Sequence, residues 1–283
     1  MIKVAFQGEL GAYSELATYE FFGDDVEVMP KPAFSDIFTA VADGEADHGI
    51  IPIENSLAGS IHENYDLMLE HDLVITGEIK LRIIHNLLVN PGAELSGIRR
   101  VFSHPQGISQ CKDFLAGLKN AELISVYDTA GAARRIKNDG LFDEAAIASE
   151  QAARDYGLDI LASGIESNHL NFTRFNILSK ELEEPSADAK TSIVFSTKNI
   201  PGALFKSLSV FALRDIDLYK IESRPIPGSP WVYMFYLDFG GDIREDVSKR
   251  AIGHLEEIAS FLKFLGSYPK GKEVTSRMQE RQE

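Results

Sequence analysis

Over the first 180 residues short apolar runs alternate with amphipathic stretches, and this alternation limits the fold more than any other feature of the chain. Residues 2–6 (Ile-Lys-Val-Ala-Phe) read as a strand, with Gly8 and Gly11 in the turn after it. A helix is expected to start near Ser14, a capping residue type followed directly by Glu15. Residues 26–29 read as a strand. Phe34, Ile37, Phe38 and Val41 then recur at i, i+3, i+4 and i+7, the spacing of one helix face. Strands are expected again at 48–53, 83–89, 101–103, 123–127 and 145–149. Strands interleaved with helices predict an α/β architecture with a mostly parallel sheet.

The pattern changes near Glu181. Residues 181–188 are polar, contain Pro185 and read as a linker. Beyond them the order reads strand, helix, strand, strand, helix, strand, a ferredoxin-like βαββαβ unit. Residues 191–196 alternate. Pro201 suits the first turn of a helix carrying Leu204, Phe205, Leu208, Phe211 and Ala212. Residues 216–221 and 231–237 flank a turn-rich connection with Pro225, Pro227, Gly228 and Pro230. Val247, Ala251, Ile252, Leu255 and Ile258 form a second helical stripe, and 261–265 suit a closing strand. Residues 269–283 read as a polar tail.

Composition removes several functions. The 283 residues carry a net charge of −15, which argues against nucleic-acid binding, because phosphate neutralisation needs clustered Lys and Arg. A small anion is still compatible if the pocket is locally positive. The single cysteine, Cys111, allows no intramolecular disulfide and no Cys-rich metal site. The seven histidines show no metal-ligand spacing, and no residue pattern calls for a metal, nucleotide or redox cofactor. No stretch approaches the ~20 apolar residues of a membrane span, and no signal peptide opens the chain, so a soluble cytoplasmic protein is expected.

Ligands of open α/β sheets bind beyond the carboxyl ends of strands. Three segments there read as strand-to-helix turns: residues 54–60, 103–106 and 127–132. Each would offer free N–H groups at a helix start, which suits a carboxylate or phosphate. Thr173-Arg174-Phe175 sets a hydroxyl beside a fixed cation that is able to pair with a carboxylate, although a salt bridge at a strand start explains it equally well.

In order along the chain stand Gly8-Glu9-Leu10-Gly11-Ala12-Tyr13-Ser14-Glu15, Gly49-Ile50-Ile51-Pro52-Ile53-Glu54-Asn55-Ser56, Ser103-His104-Pro105-Gln106 with Gln110-Cys111, Asp128-Thr129-Ala130-Gly131-Ala132 and Asn171-Phe172-Thr173-Arg174-Phe175. Together these resemble the prephenate dehydratase family. Gly202-Ala203-Leu204-Phe205 and Glu222-Ser223-Arg224-Pro225 resemble its regulatory ACT domain.

The resemblance spans roughly residues 1–270. It implies a catalytic part at 1–182 made of two lobes, type II periplasmic-binding-protein-like, with lobe 1 at about 1–78 and 171–182 and lobe 2 at about 79–170. A ferredoxin-like ACT domain would follow at 190–268. The chain would cross between the lobes near 76–82 and return near Asn171.

The implied reaction converts prephenate to phenylpyruvate, carbon dioxide and water, with feedback inhibition by L-phenylalanine. The implied catalytic group is Thr173, Arg174, Glu54, Asn55, Ser56, Ser103 and Gln110. Thr173 would meet the leaving hydroxyl, with Glu54 as the alternative proton source, and Arg174 would either pair with a carboxylate or hold the hinge. Tyr13, His104, Thr129, Gly131 and Phe175 would contact substrate, His104 chiefly as a helix cap. Asn199, Pro201, Gly202, Ala203, Leu204, Phe205, Glu222, Ser223 and Arg224 would hold phenylalanine where ACT domains self-associate, in a dimer or a dimer of dimers (a homotetramer). Arogenate dehydratase and a sensor without chemistry are the competing readings.

Overall fold

The computed structural model describes residues 1–184, 188–226 and 231–275, which form two compact units. The first comprises residues 1–65 and 79–175 together with residues 273–275. The second comprises 66–78 and 176–272.

The first unit opens with β1 (Ile2–Gln7), α1 (Tyr13–Phe22), β2 (Val26–Lys31), α2 (Phe34–Asp43), β3 (His48–Asn55) and β4 (Gly59–Ser60). Next come α3 (His62–Glu70) and β5 (Val74–Arg82), which run between the two units. The chain then enters a second sheet through β6 (Asn86–Val89), β7 (Arg100–Ser103), α4 (Pro105–Gln110), α5 (Lys112–Leu115), β8 (Glu122–Ser125), α6 (Thr129–Asp139), β9 (Glu144–Ala148), α7 (Glu150–Tyr156) and β10 (Asp159–Ser163). It returns as β11 (Phe172–Ser179). The two crossings meet where Ile83 N–H donates to Asn171 O at 2.8 Å.

The second sheet has the order β10-β6-β9-β7-β8. One face packs Ala132, Ala133 and Ile136 of α6 and Ala152 of α7 against Leu88, Phe102 and Ala146. The other packs Cys111 and Leu115 against Leu87, Val101 and Ile147. Burial on both faces explains why residues 87–89 of β6 and 145–148 of β9 are apolar without alternation.

The second unit contains β12 (Ala189–Thr197), α8 (Ala203–Ala212), β13 (Leu218–Pro225), β14 (Tyr233–Gly240), α9 (Asp246–Ile258) and β15 (Ala259–Pro269). Its sheet order is β13-β14-β12-β15, with antiparallel pairing at every step. Alternation sorts β12: Ile193 and Phe195 join Val210, Phe211, Ala251 and Leu255 in an apolar core under the helices. Lys190 and Ser192 point to the other face.

Several expectations differ from what is observed. The sheets are mixed, because β6 pairs antiparallel with β9 and β10. Residues 83–89 are not one strand; β5 ends at Arg82, and His85 precedes β6. Residues 54–60 form a β3–β4 hairpin turn instead of leading straight into a helix. Ser14 lies inside α1, which is capped at Ala12. Pro201 precedes the N-cap of α8, which is Gly202 with φ 77°, a left-handed conformation that suits glycine.

The expected tail includes the end of β15 and a short strand, β16 (Glu273–Val274), parallel to β5. By compactness the two units divide at Phe175/Asn176, within β11, and the polar stretch after Glu181 follows a few residues further on. Pro185, Ser186 and Ala187 of the expected linker, the turn residues Pro227, Gly228 and Pro230, and tail residues 276–283 lie outside the described residues.

Candidate functional site

A cavity of about 290 Å³ lies in the first unit, lined from both of its sheets. Four helix starts reach it: Tyr13 and Ser14 at α1, Ser60 and Ile61 just ahead of α3, His104 and Gln106 at α4, and Thr129 and Ala130 at α6. No lysine or arginine is among the lining residues, and Asp128 is the one carboxylate. Asp128 caps α6, its Oδ1 accepting from Gly131 N–H. His104 caps α4, its Nδ1 accepting from Gln106 N–H at 3.2 Å. With no cation in the lining, the groups here that favour an anion are the helix first turns, each worth about 0.3–1 kcal/mol and up to ~2 when partly buried.

The cavity is walled by a run of uncharged polar groups. Asn55, at the end of β3, accepts through Oδ1 from Leu57 and Ala58 N–H at 3.0 and 2.9 Å. Its Nδ2 places two hydrogens among three acceptors, Asn171 Oδ1 (2.8 Å), Phe172 O (3.1 Å) and Thr173 Oγ1 (3.0 Å), so that one of them is shared. Asn171 Nδ2 donates to Gln110 Oε1 at 3.1 Å. That oxygen lies 2.8 Å from His85 Nε2. His85 Nδ1 is 2.8 Å from Tyr13 Oη, which is also 2.8 Å from Ile84 O. Burial lowers the imidazole pKa of His85 and raises the phenol pKa of Tyr13, so both are neutral near pH 7.

Of the residues singled out from sequence, Tyr13, Asn55, His104, Gln110, Thr129, Thr173 and Phe175 line the cavity. The others sit outside its lining. Ser103 is fully buried, and its hydroxyl donates to Ile147 O at 2.8 Å across the β7–β9 pair. Ser56 Oγ donates to Leu170 O (2.8 Å) and accepts from Phe172 N–H (2.9 Å), tying the hairpin to the returning strand. Gly131 supplies the capped N–H of α6. Arg174 pairs with Glu54 at 3.4 Å along neighbouring strands.

The nine expected effector residues all lie in the second unit, around the start of α8 and on β13. There Arg224 pairs with Asp66, and Phe205 is 76% exposed. Cys111 is buried, and burial pushes its thiol up to about 12, so it carries no thiolate chemistry.

Sequence reasoning passed over His85 and Asn171 as site residues. The available signal was a histidine and an asparagine, His85 and Asn86, interrupting the apolar run at 83–89. No group of three or more His, Cys, Asp or Glu suited to a metal occurs among the described residues. Among them no helix is long and apolar enough to cross a membrane.

Residues 4–183 match the family model described as prephenate dehydratase. The chain is 47% identical over 279 residues to arogenate dehydratase/prephenate dehydratase 2, chloroplastic, of Arabidopsis thaliana, covering 95% of this chain and 73% of the relative. A solved structure of prephenate dehydratase in complex with L-Phe from Arthrobacter aurescens superposes with a TM-score of 0.87 at 32% identity, covering 95% of this chain and 90% of that one. GqqA, described as a novel type of quorum-quenching acylase, superposes with a TM-score of 0.89 at 33% identity, covering 95% and 98%.

Proposed function

This chain belongs to the prephenate dehydratase family, and on that premise we propose that its cavity converts prephenate to phenylpyruvate. The ring carbon–carboxylate bond breaks and its electron pair enters the ring. The C4–oxygen bond breaks in turn, carbon dioxide leaves, and the departing hydroxide takes a proton to become water. Aromatisation drives the step, so the protein has to hold an anion, stabilise the departing oxygen and exclude water.

The observation that carries this reading is the hydrogen bond from Asn55 Nδ2 to Thr173 Oγ1 at the cavity wall. By occupying a lone pair of Thr173, it leaves the hydroxyl hydrogen to be donated to the departing oxygen as charge builds there. A threonine hydroxyl is too weak an acid to surrender that proton outright, so Thr173 acts as a hydrogen-bond donor. The substrate carboxylates sit against the first turns of α1 and α6. Arg174, held by Glu54 away from the cavity lining, keeps the return strand in place.

Acyl transfer, the activity described for GqqA, is less well supported. The His85 ring is engaged at both nitrogens, and the Cys111 thiol is inert.

The second unit reads as an ACT domain that binds L-phenylalanine and feeds back on catalysis. Two things support this: the relative crystallised with L-Phe, and the left-handed Gly202 that leaves the backbone open at the start of α8. β13 is an edge strand, and Ile221 on it and Phe205 on α8 are exposed, which suits self-association of two such units into a dimer or dimer of dimers. Inhibition requires phenylalanine to bind one state of the enzyme better than another.

Incubation with prephenate, following phenylpyruvate with and without L-phenylalanine, tests both halves. Product formation suppressed by phenylalanine is expected. Product from arogenate but not from prephenate would reassign the substrate, and absence of any product would remove the dehydratase reading.

A further inference from the structure

The run of amides along the cavity wall has a fixed direction. Leu57 and Ala58 approach Asn55 with backbone N–H groups, which only donate, so the atom they meet is the amide oxygen. The Asn55 NH₂ must then face Asn171 and Thr173. Asn171 accepts from it through oxygen and presents its own NH₂ to Gln110 Oε1. Gln110 Oε1 therefore accepts on this side and has no hydrogen to offer His85. The 2.8 Å contact between them requires the hydrogen to be on His85 Nε2. Turning any one of the three amides around would set N–H against N–H at the next contact.

We propose that His85 is a positioning residue, locked as the Nε2–H tautomer, that sets the hydrogen-bond polarity of the cavity. With Nε2 protonated and the ring kept neutral by its burial, Nδ1 is bare, and the single Tyr13 Oη hydrogen is shared between His85 Nδ1 and Ile84 O. The Tyr13 hydrogen is thus held on the protein side, between His85 Nδ1 and Ile84 O, and its oxygen lone pairs are what remain for a ligand. At the other end of the run Thr173 keeps its hydrogen for the ligand, and Gln110 keeps its NH₂. The cavity accordingly presents donors at Thr173 and Gln110 and an acceptor at Tyr13. A departing oxygen or a carboxylate fits the donors, and a ligand O–H or N–H fits Tyr13. Which substrate atom meets which residue rests on the dehydratase reading above; the polarity itself rests on the protein alone.

The charged and titratable groups around this pair are few. Glu166 accepts from His85 N–H at 3.0 Å, with Arg82 (3.5 Å) and His169 (3.3 Å) on its other oxygen. Glu150 and Cys111 act on Tyr13. Proton uptake at Nδ1 turns that nitrogen into a donor toward Tyr13. The phenol hydrogen then goes to Ile84 O, and the acceptor is withdrawn from the ligand. Activity should fall with an acid limb below the ordinary imidazole value of 6.5, the direction in which burial moves His85.

Nitrogen-15 spectra of the full chain labelled at histidine test the tautomer directly. The His85 signals are assigned as those moved by Tyr13→Phe. One protonated Nε2 and one bare Nδ1 are expected at pH 7. An Nδ1–H ring, or an imidazolium, overturns the proposal whatever the enzyme's substrate.

The second arm is kinetic. His85→Gln keeps a donor toward Gln110 and loses the acceptor for Tyr13. It is expected to lower kcat/KM for prephenate about tenfold or more, because a displaced polar group at a reacting centre is costly, and to erase the acid limb. Unchanged kcat/KM with an unchanged acid limb removes the positioning role even if the tautomer is as drawn. Failure of the wild type to turn over prephenate removes the substrate assignment and leaves the spectroscopic arm to decide the polarity.

Discussion

Along the cavity wall Asn55, Asn171, Gln110 and His85 pass hydrogen bonds from one uncharged group to the next and end on Thr173 and Tyr13, both of which line open space. The second unit buries polarity in another way. On the sheet face away from α8 and α9, Lys190 is ion-paired with Glu78 and lies 3.5 Å from Asp238. Ser192 donates to Asp238 at 2.5 Å and meets Tyr268 Oη at 2.6 Å, and Gly271 N–H donates to Glu78 at 3.2 Å. The first arrangement carries little desolvation cost and leaves hydrogen-bonding capacity for a ligand. The second carries the cost of burying three charges and spends its capacity internally, so its role is structural. What separates a site from a strut here is whether the network is closed, and burial alone does not distinguish them.

Breaking the closed network should give the largest effect. Lys190→Met removes the buried cation that Glu78 pairs with, and a loss of about 3–5 kcal/mol is expected. It should appear as a lower urea midpoint with turnover unchanged in the still-folded protein. A stability close to wild type would mean that the cluster is not a strut.

The open network should respond in the opposite way. Thr173→Val keeps the shape and removes the terminal donor. Turnover is expected to fall about 10²–10³-fold, while stability moves by less than about 1.5 kcal/mol. A variant that unfolds easily and yet turns over normally would reverse the comparison.

Next in size is the response to the effector. Gly202 holds φ 77° at the start of α8. Gly202→Leu fills the open backbone there and costs on the order of 1–2 kcal/mol for the left-handed conformation. Inhibition by L-phenylalanine should disappear while uninhibited turnover persists; retained inhibition would place the effector elsewhere.

How far the sequence foretold these two networks depends on how local each one is. The helical stripe from Phe34 to Val41 and the alternation of β12 were legible because they depend on neighbours a few residues away, and α2 and β12 form there. The run Asn171-Phe172-Thr173-Arg174-Phe175 was legible as a motif. Its use of Asn171 was not, since the partners Asn55 and Gln110 lie 116 and 61 residues away.

Facing direction was the other hidden quantity. Successive residues of a strand point to opposite faces, so nothing in the run Ser103-His104 says that Ser103 turns inward to Ile147 O while His104 lines the cavity. The break between β5 and β6 escaped notice because residues 83–84 are as apolar as a strand interior. Lys190 stands just before the alternating stretch 191–196, and its counter-charge Glu78 lies 112 residues earlier, out of reach of any local pattern.

The smallest expected effect separates the two networks by their protons. The amides of the cavity wall do not titrate and add no slope to stability with pH. Glu15, in the first turn of α1, behaves differently: its Oε2 accepts from Gly11 N–H at 2.5 Å, and burial, helped by the nearby Asp155, pushes its pKa from about 4.5 up to about 7. It lies where the two sheets of the first unit are joined. Ser149 Oγ donates to Gly11 O at 2.5 Å and Tyr156 Oη to Leu10 O at 2.9 Å. A Cβ on Gly11, whose φ is 88°, would fall 2.6 Å from Ala152 Cα.

Between pH 4.5 and 7 the folded protein keeps a proton on Glu15 that the unfolded chain has released. The stability from this group is therefore fully present below about 4.5 and is lost as pH rises through about 7. Glu15→Gln imitates the protonated carboxyl at every pH. Its stability relative to wild type should rise from pH 5 to 8 and then level off, at on the order of 1–2 kcal/mol once solvent screening is allowed for. Urea titrations of both proteins across that range read the difference directly. A constant difference would mean that Glu15 is already ionised at this junction and held there by Gly11 N–H, which would make the junction a charge-compensated strut like Lys190 rather than a neutral seam like the cavity wall.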